Sequence, residues 1–149
     1  MNKASIPNPA LEPFGLLIGR WSTVGTHPLL PDVPLRGQAT FEWLEGGAFV
    51  VMRTEIEHPE IPAGLAVFGT DDTAARCFML YFDERGVSRK YDVTLQGNVL
   101  KWWRDDPSFS QRFTGTITDN GDVMVGKGEM SRAGSPWQDD LQLTYTRLR

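Results

Sequence analysis

Apolar and polar residues alternate with a period of two along most of the chain, the pattern of half-buried β-strands. Ten segments of this kind follow one another, separated by turns rich in Gly, Pro, Asp and Asn. Evenly spaced strands without long helices between them are typical of an antiparallel meander and exclude a parallel βαβ architecture. We predict strands over residues 20–27, 36–44, 48–57, 65–69, 76–82, 87–95, 99–104, 109–118, 122–132 and 137–148.

The N-terminal segment lacks this alternation. Asn8 is a favourable N-cap residue and Pro9 suits the first helical position, so we predict a short helical turn over residues 10–18 after a loose tail over residues 1–9. An open sheet of ten strands would leave two unprotected edges. We therefore predict an all-β fold, a single up-and-down antiparallel β-barrel of about ten strands spanning residues 1–149, plugged by the helical turn. A two-layer β-sandwich is the alternative.

The two ends of such a barrel differ in their connections. One end has tight turns such as Asp119-Asn120-Gly121, whereas the other has two proline-rich loops, over residues 27–34 and 58–64, that cannot pair regularly. Function tends to collect on longer loops carried by a rigid scaffold. We therefore expect the mouth of the barrel at the end that carries His27 and His58.

Composition narrows the class of partner. The formal net charge of −4 gives no basic surface for nucleic acid or an anionic membrane, and no apolar run is long enough to span a bilayer. The first 13 residues lack the apolar core of a signal peptide. The single cysteine, Cys77, excludes an intrachain disulfide and reads as a small buried hydrophobic residue. We expect a cytoplasmic protein with neither a nucleic-acid nor a membrane partner.

Gly19-Arg20-Trp21, at the head of the first strand, resembles the Gly-X-Trp signature of lipocalins and the wider calycin superfamily. In that superfamily an arginine near the end of the last strand packs across the tryptophan, and Arg147 stands at the matching position. The resemblance therefore implies a closed end built by Gly19, Trp21 and Arg147. The likeness is greatest to a group of uncharacterised bacterial lipocalin-like proteins, which implies a fold and no reaction. The matching segments are residues 82–91, 102–104, 109–115 and 143–147.

A more distant resemblance, to nitrobindins, concerns the last strand. Nitrobindins are ten-stranded barrels in which a histidine of this strand ligates haem iron. Here Asp140 and Gln142 occupy the two histidine positions. This departure argues against haem bound in that way, and we expect no cofactor.

Several side chains lie two positions away from apolar residues of the same strand. They therefore share a face with those residues, and we expect them to point into the barrel. A buried arginine needs a partner, because an unpaired buried charge is very costly. The partner could be a ligand carboxylate held bidentately, or an acidic side chain in a structural network, for which Glu42, Glu55, Asp92 and Asp140 are candidates. The cavity candidates are Arg53, Arg89, Tyr91, Trp102, Gln111, Phe113 and Tyr145, with Arg104 on the same face as Trp102.

The two histidines could form a weak metal site with nearby acidic residues. No His-X-His or His-X-X-Glu spacing supports such a site, so we interpret His27 and His58 as surface loop residues and expect no metal.

These observations favour a binding protein for a small, mostly apolar molecule, with a ligand carboxylate facing Arg89, Tyr91 and Gln111 as one version. The first alternative is an enzyme, such as an isomerase or a redox-linked activity, with Tyr145, Asp140 or Glu55 as acid or base; we favour binding over catalysis. The second is a ligand-free barrel that acts through its surface or as a homodimer, with Trp103 and Trp137 as the exposed contacts.

Overall fold

Ten antiparallel strands close into one barrel in the computed structural model, which describes residues 5–72 and 76–149. Each strand pairs with its neighbours in sequence, and the first pairs with the last to complete the circle. The predicted all-β barrel is therefore confirmed. The strands are β1 (Gly19–His27), β2 (Leu30–Leu44), β3 (Phe49–Ile56), β4 (Gly64–Thr70), β5 (Cys77–Asp83), β6 (Ser88–Gln96), β7 (Val99–Arg104), β8 (Phe109–Ile117), β9 (Val123–Arg132) and β10 (Gln138–Leu148).

The first proline-rich segment is strand rather than loop. His27 and Leu30 pair across a two-residue turn, so β2 begins six residues before the predicted start. Pro31 and Pro34 are tolerated because pairing with β1 is interrupted beyond Leu30 and pairing with β3 starts only at Gly37. Neither proline removes a ladder hydrogen bond there. The second proline-rich segment does connect β3 to β4 as a loop.

A 3-10 helix (Pro9–Leu16) plugs the end of the barrel at which β1 begins. Asn8 caps it, accepting a hydrogen bond from the Ala10 amide at 3.0 Å. The Asn8 side chain also donates to Thr70 Oγ1 at 2.8 Å. The expectation of a loose tail is therefore wrong at Asn8, and residues 1–4 of that predicted tail lie outside the described residues. No helix in the described part of the chain is long and apolar enough to cross a lipid bilayer.

Trp21 and Arg147 seal this closed end. The Trp21 ring is fully buried and its Nε1 donates to the Leu17 carbonyl at 2.9 Å. The Arg147 guanidinium lies 4.2 Å from the centre of that ring and donates to the carbonyls of Ile18 at 2.7 Å and Leu16 at 2.6 Å. These contacts tie the plug, the first strand and the last strand together.

Gly19 leaves room for this arrangement. Its φ of +134° is unfavourable for other residues, and a Cβ there would lie 3.0 Å from Arg147 Nη1. A side chain at this position would therefore press on the guanidinium.

Aromatic side chains fill the barrel above the plug. Phe14 of the plug meets Phe68 at 5.3 Å between ring centres, and Phe68 lies 6.5 Å from Trp102. Trp102 stacks on Phe113 at 3.9 Å and 11°. A Cβ on Gly126 would lie 2.8 Å from the Phe113 ring, so this glycine makes space for it. The lower half of the interior is thus a packed core.

Replacing Arg147 with alanine should lower the free energy of unfolding by about 3 kcal/mol, because several charge-assisted bonds to carbonyl groups are lost. Arg149→Ala is the matched control. Arg149 contacts Asp122, but its side chain is 72% exposed, so its loss should cost less than about 1 kcal/mol. Urea unfolding measures both. Equal losses in the two variants would show that the closed end does not depend on Arg147.

Candidate functional site

A β-bulge in β10 turns Asp140 into the barrel. Between Asp139 and Gln142, β10 contains one residue more than the facing stretch of β9. The extra residue reverses the alternation of side chains, as bulges do. Gly128 of β9 accommodates the bulge, since a Cβ there would lie 2.6 Å from the Leu141 carbonyl oxygen. The Gln142 side chain secures it by donating to the carbonyls of Gly128 at 2.6 Å and Asp140 at 3.0 Å.

A chain of polar side chains starts at Asp140 and crosses the upper interior. His27 Nε2 lies 3.2 Å from Asp140 Oδ1, and Gln111 Nε2 donates to Asp140 Oδ2 at 3.0 Å. The Gln111 Oε1 atom then accepts from the Tyr91 hydroxyl at 2.5 Å and from Arg89 Nη1 at 3.5 Å. We call these five residues the polar chain. They come from β1, β10, β8 and β6.

The hydrogen bonds of His27 define its tautomer. Its Nδ1 accepts from the Leu29 amide at 3.1 Å, so the proton is on Nε2, which donates to Asp140. Both ring nitrogens are therefore occupied, and the interpretation of His27 as a surface residue is wrong. His58 lies apart, on the β3–β4 loop, where its Nδ1 accepts from the Glu60 amide at 3.1 Å.

Two donors converge on the Gln111 amide oxygen, and one of them carries a charge. Arg89 is half-buried and forms no ion pair with a carboxylate of the described residues. Its guanidinium carbon lies 4.9 Å from the centre of the Phe109 ring. A cation in this setting has neither full hydration nor an adjacent counter-ion.

Burial controls the ionisation of the tyrosines near this site. It raises the pKa of the Tyr91 phenol, and the positive charge of Arg89 offsets part of that increase. Tyr91 therefore stays protonated and remains a donor at neutral pH. Burial also raises the pKa of Tyr145, which packs in the core and has no hydrogen-bond partner for its hydroxyl among the described residues.

The β5–β6 turn supports one wall of the site. Asp83 Oδ2 accepts from the Tyr81 hydroxyl at 2.8 Å and from Arg85 Nη2 at 2.7 Å. The hydrogen bonds from Arg85 are the main reason that the pKa of Asp83 falls to about 2. The Tyr81 ring meets the Tyr91 ring edge-on, at 6.3 Å and 88°. The turn therefore fixes Tyr81, which in turn packs against Tyr91.

A cleft of about 490 Å³ opens beside Arg89 and Tyr91, where β6 and β7 separate. The last pair that these strands share on the mouth side is Asp92 with Trp103. Arg104 lies in the cleft and contacts Asp106 at 3.5 Å. The lining residues are Ser88, Arg89, Lys90, Tyr91, Asp92, Trp103, Arg104, Asp105 and Asp106.

The residues predicted to line the cavity divide into three groups. Arg89, Tyr91 and Gln111 come together in the polar chain. Trp102, Phe113 and Tyr145 belong to the packed core. The prediction for Arg53 is wrong, because Arg53 is exposed and alternates with the buried Met52, which places it on the outer face.

The two positions of β10 compared with nitrobindins are both engaged within the chain. The two oxygens of Asp140 contact His27 and Gln111, and the Gln142 amide donates to the carbonyls of Gly128 and Asp140. The ring nitrogens of His27 contact the Leu29 amide and Asp140. Among the described residues, no group of three His, Cys, Asp or Glu side chains is placed to hold a metal ion.

Comparison with known proteins supports the fold. No protein-family model and no curated protein matches this chain. Among solved structures, it is similar to the crystal structure of Rv2717c from M. tuberculosis, with 15% sequence identity and a TM-score of 0.69. The match covers 97% of this chain and all of that one. At this identity, the likeness shows a shared barrel fold only.

Gly128→Ala should destabilise the protein by about 1–3 kcal/mol, because its Cβ would press on the bulge backbone. Gly15→Ala is the control, since a Cβ there meets only Trp43, at 4.0 Å. Urea unfolding of both variants measures the difference. A Gly128→Ala variant as stable as the control would show that the bulge can form without glycine opposite it.

Asp83→Asn should lower the free energy of unfolding by about 1–2 kcal/mol at pH 7. The folded-state pKa of Asp83, about 2, lies below the ordinary value of 3.8, so its contribution is present above pH 4 and is lost as the pH falls towards 2. The difference in stability between wild type and Asp83→Asn should therefore close over that range in pH-dependent urea unfolding. A difference that is independent of pH would contradict this assignment, and Asp119→Asn, in an exposed turn, is the control.

Proposed function

We propose that this protein binds a small organic carboxylate at the mouth of the barrel, with Arg89 and Tyr91 as the main contacts. The observation that carries the proposal is the convergence of the Arg89 guanidinium and the Tyr91 hydroxyl on one neutral acceptor, Gln111 Oε1. A carboxylate oxygen is a stronger acceptor than an amide oxygen, because its hydrogen bonds are charge-assisted.

The state of Arg89 supports an anionic ligand. Its bond to Gln111 is long, at 3.5 Å, and its guanidinium also lies over the face of Phe109. A half-buried guanidinium gains more from a carboxylate than from an amide or an aromatic ring. Arg104 is less suited to be the main anchor, because Asp106 already lies beside it.

Gln111 acts in this proposal as a stand-in for the ligand. Asp140 accepts from its Nε2, which directs Oε1 towards Tyr91 and Arg89. A bound carboxylate would accept the hydrogen bonds that Gln111 Oε1 now accepts from Tyr91 and Arg89. An uncharged ligand would only exchange one neutral acceptor for another, so the site should select anions.

The size and lining of the cleft define the rest of the ligand. Its volume of about 490 Å³ is in the usual range for small-molecule sites. Tyr91 and Trp103 are the aromatic residues of its lining, and most of the other lining residues are polar. We therefore propose a compact carboxylate with a small apolar or aromatic body, in place of the mostly apolar ligand expected from the sequence.

The geometry favours binding over acid–base catalysis. His27 has no free ring nitrogen, and burial raises the pKa of Tyr145. Glu55 is exposed and, like Arg53, lies on the outer face of β3. None of these three side chains lines the cleft, so none is placed to act there as acid or base.

The two side chains expected to form homodimer contacts, Trp103 and Trp137, are partly covered by other residues of the same chain. The Arg112 guanidinium covers the Trp137 ring at 3.9 Å, and Trp103 is half-buried beside the cleft. These contacts do not favour the surface-interaction alternative, and we propose no dimer.

Isothermal titration calorimetry with benzoate, hexanoate and the matching amides tests the proposal. We expect at least one acid to bind about tenfold or more tightly than its amide, because only the acid forms charge-assisted bonds. Arg89→Gln should weaken the binding of that acid by a similar factor. Arg53→Gln, a charge change on the outer face, should leave it unchanged.

Two results would contradict the proposal. One is equal affinity for acids and amides in the wild-type protein. The other is equal loss of acid binding in Arg89→Gln and Arg53→Gln.

A further inference from the structure

We infer that the ligand reaches this site from the side of the barrel, through the gap between β6 and β7, and not along the barrel axis. The inference rests on the proposed function for the location of the binding site. Three features of the wall and the interior support it.

The first feature is an interruption of the barrel wall. β6 continues to pair with β5 as far as Ser88, and β7 pairs with β8 as far as Arg104. The ladder between β6 and β7 nevertheless stops at Asp92 and Trp103. Each strand is therefore held by its outer neighbour. The next pair in this register, Tyr91 with Arg104, is not joined, and residues 88–90 lie beyond the end of β7.

The second feature is the lining of the cleft. Arg89 and Tyr91 share the inward parity of β6, whereas Lys90 and Asp92 are exposed on its outer face. All four line the same cleft. The cleft therefore follows β6 at the point where its ladder with β7 has ended, and residues of both faces of the strand contribute to it. Both proposed anchor residues are among them.

The third feature is the polar chain itself. In the closed barrel β6 is five strands from β1 in either direction, so the two strands are opposite each other. The polar chain runs from His27 on β1 to Tyr91 and Arg89 on β6, and it therefore spans the mouth. A molecule approaching along the axis would meet the whole hydrogen-bonded chain, including His27, Asp140 and Gln111. One approaching through the side gap would meet Arg89 and Tyr91 directly.

The route can be measured by the accessibility of an inward-facing cysteine. The background variant carries Cys77→Ala, and Tyr91→Cys places a reporter thiol at the inner end of the cleft. The probe is iodoacetamide, whose alkylation of the thiol is followed by mass spectrometry. Lys90→Trp is then added to fill the outer end of the cleft. Lys101→Trp is the control, since Lys101 is exposed on β7 and does not line the cleft.

We expect Lys90→Trp to slow alkylation of the reporter about tenfold or more, and Lys101→Trp to change it less than about twofold. Equal alkylation rates in the two tryptophan variants would overturn the inference, because the reagent would then arrive by another route. If Tyr91→Cys does not fold, Arg89→Cys serves as the reporter, since Arg89 is only half-buried.

This experiment is independent of the binding test. Iodoacetamide is uncharged and does not require the carboxylate site, so the side route is accepted or rejected whether or not benzoate or hexanoate binds. Failure of the acids to bind would refute the proposed function. Insensitivity of the reporter to Lys90→Trp would refute only the route.

Discussion

The upper half of this barrel depends on the inward position of Asp140. A single extra residue in β10 places the carboxylate inside, where it accepts from His27 and from Gln111. Those two bonds fix the orientation of the Gln111 amide. The amide oxygen in turn accepts hydrogen bonds from Tyr91 and Arg89. Without the bulge, Asp140 would face solvent and Gln111 would lose the acceptor that orients it. A backbone irregularity more than 100 residues along the chain from His27 thus positions the candidate binding site.

The two halves of the barrel serve different purposes. Trp21 and Arg147 at the plug, and the stacked Trp102–Phe113 pair above them, form a packed interior. A rigid lower half can support a polar upper half, in which a half-buried guanidinium carries a standing energetic cost. The separation of β6 from β7 occurs only in this upper half. Stability and the candidate function are therefore concentrated at opposite ends.

Local patterns predicted the parts of this structure that local chemistry determines. Alternation identified the strands, and Asn8 with Pro9 identified the start of the plug. The loop assigned to Pro31 depends instead on which neighbouring strand is present, and that is a property of the closed sheet. The wrong side was assigned to Arg53 because three consecutive apolar residues, Val50, Val51 and Met52, precede it and obscure the alternation. The role of His27 was missed because the bulge that places Asp140 beside it lies in β10, which is far from β1 in the sequence. Gly128, a glycine within a strand, was one signal of that bulge.

The most direct test of this account is a crystal structure of the protein with the tightest-binding acid of the benzoate and hexanoate panel. The account predicts a carboxylate oxygen within hydrogen-bond distance of both Arg89 and Tyr91, with Gln111 Oε1 displaced from its present contacts. It also predicts that the body of the ligand lies in the cleft beside Trp103. A ligand bound elsewhere, with the Tyr91–Gln111 hydrogen bond intact, would contradict it.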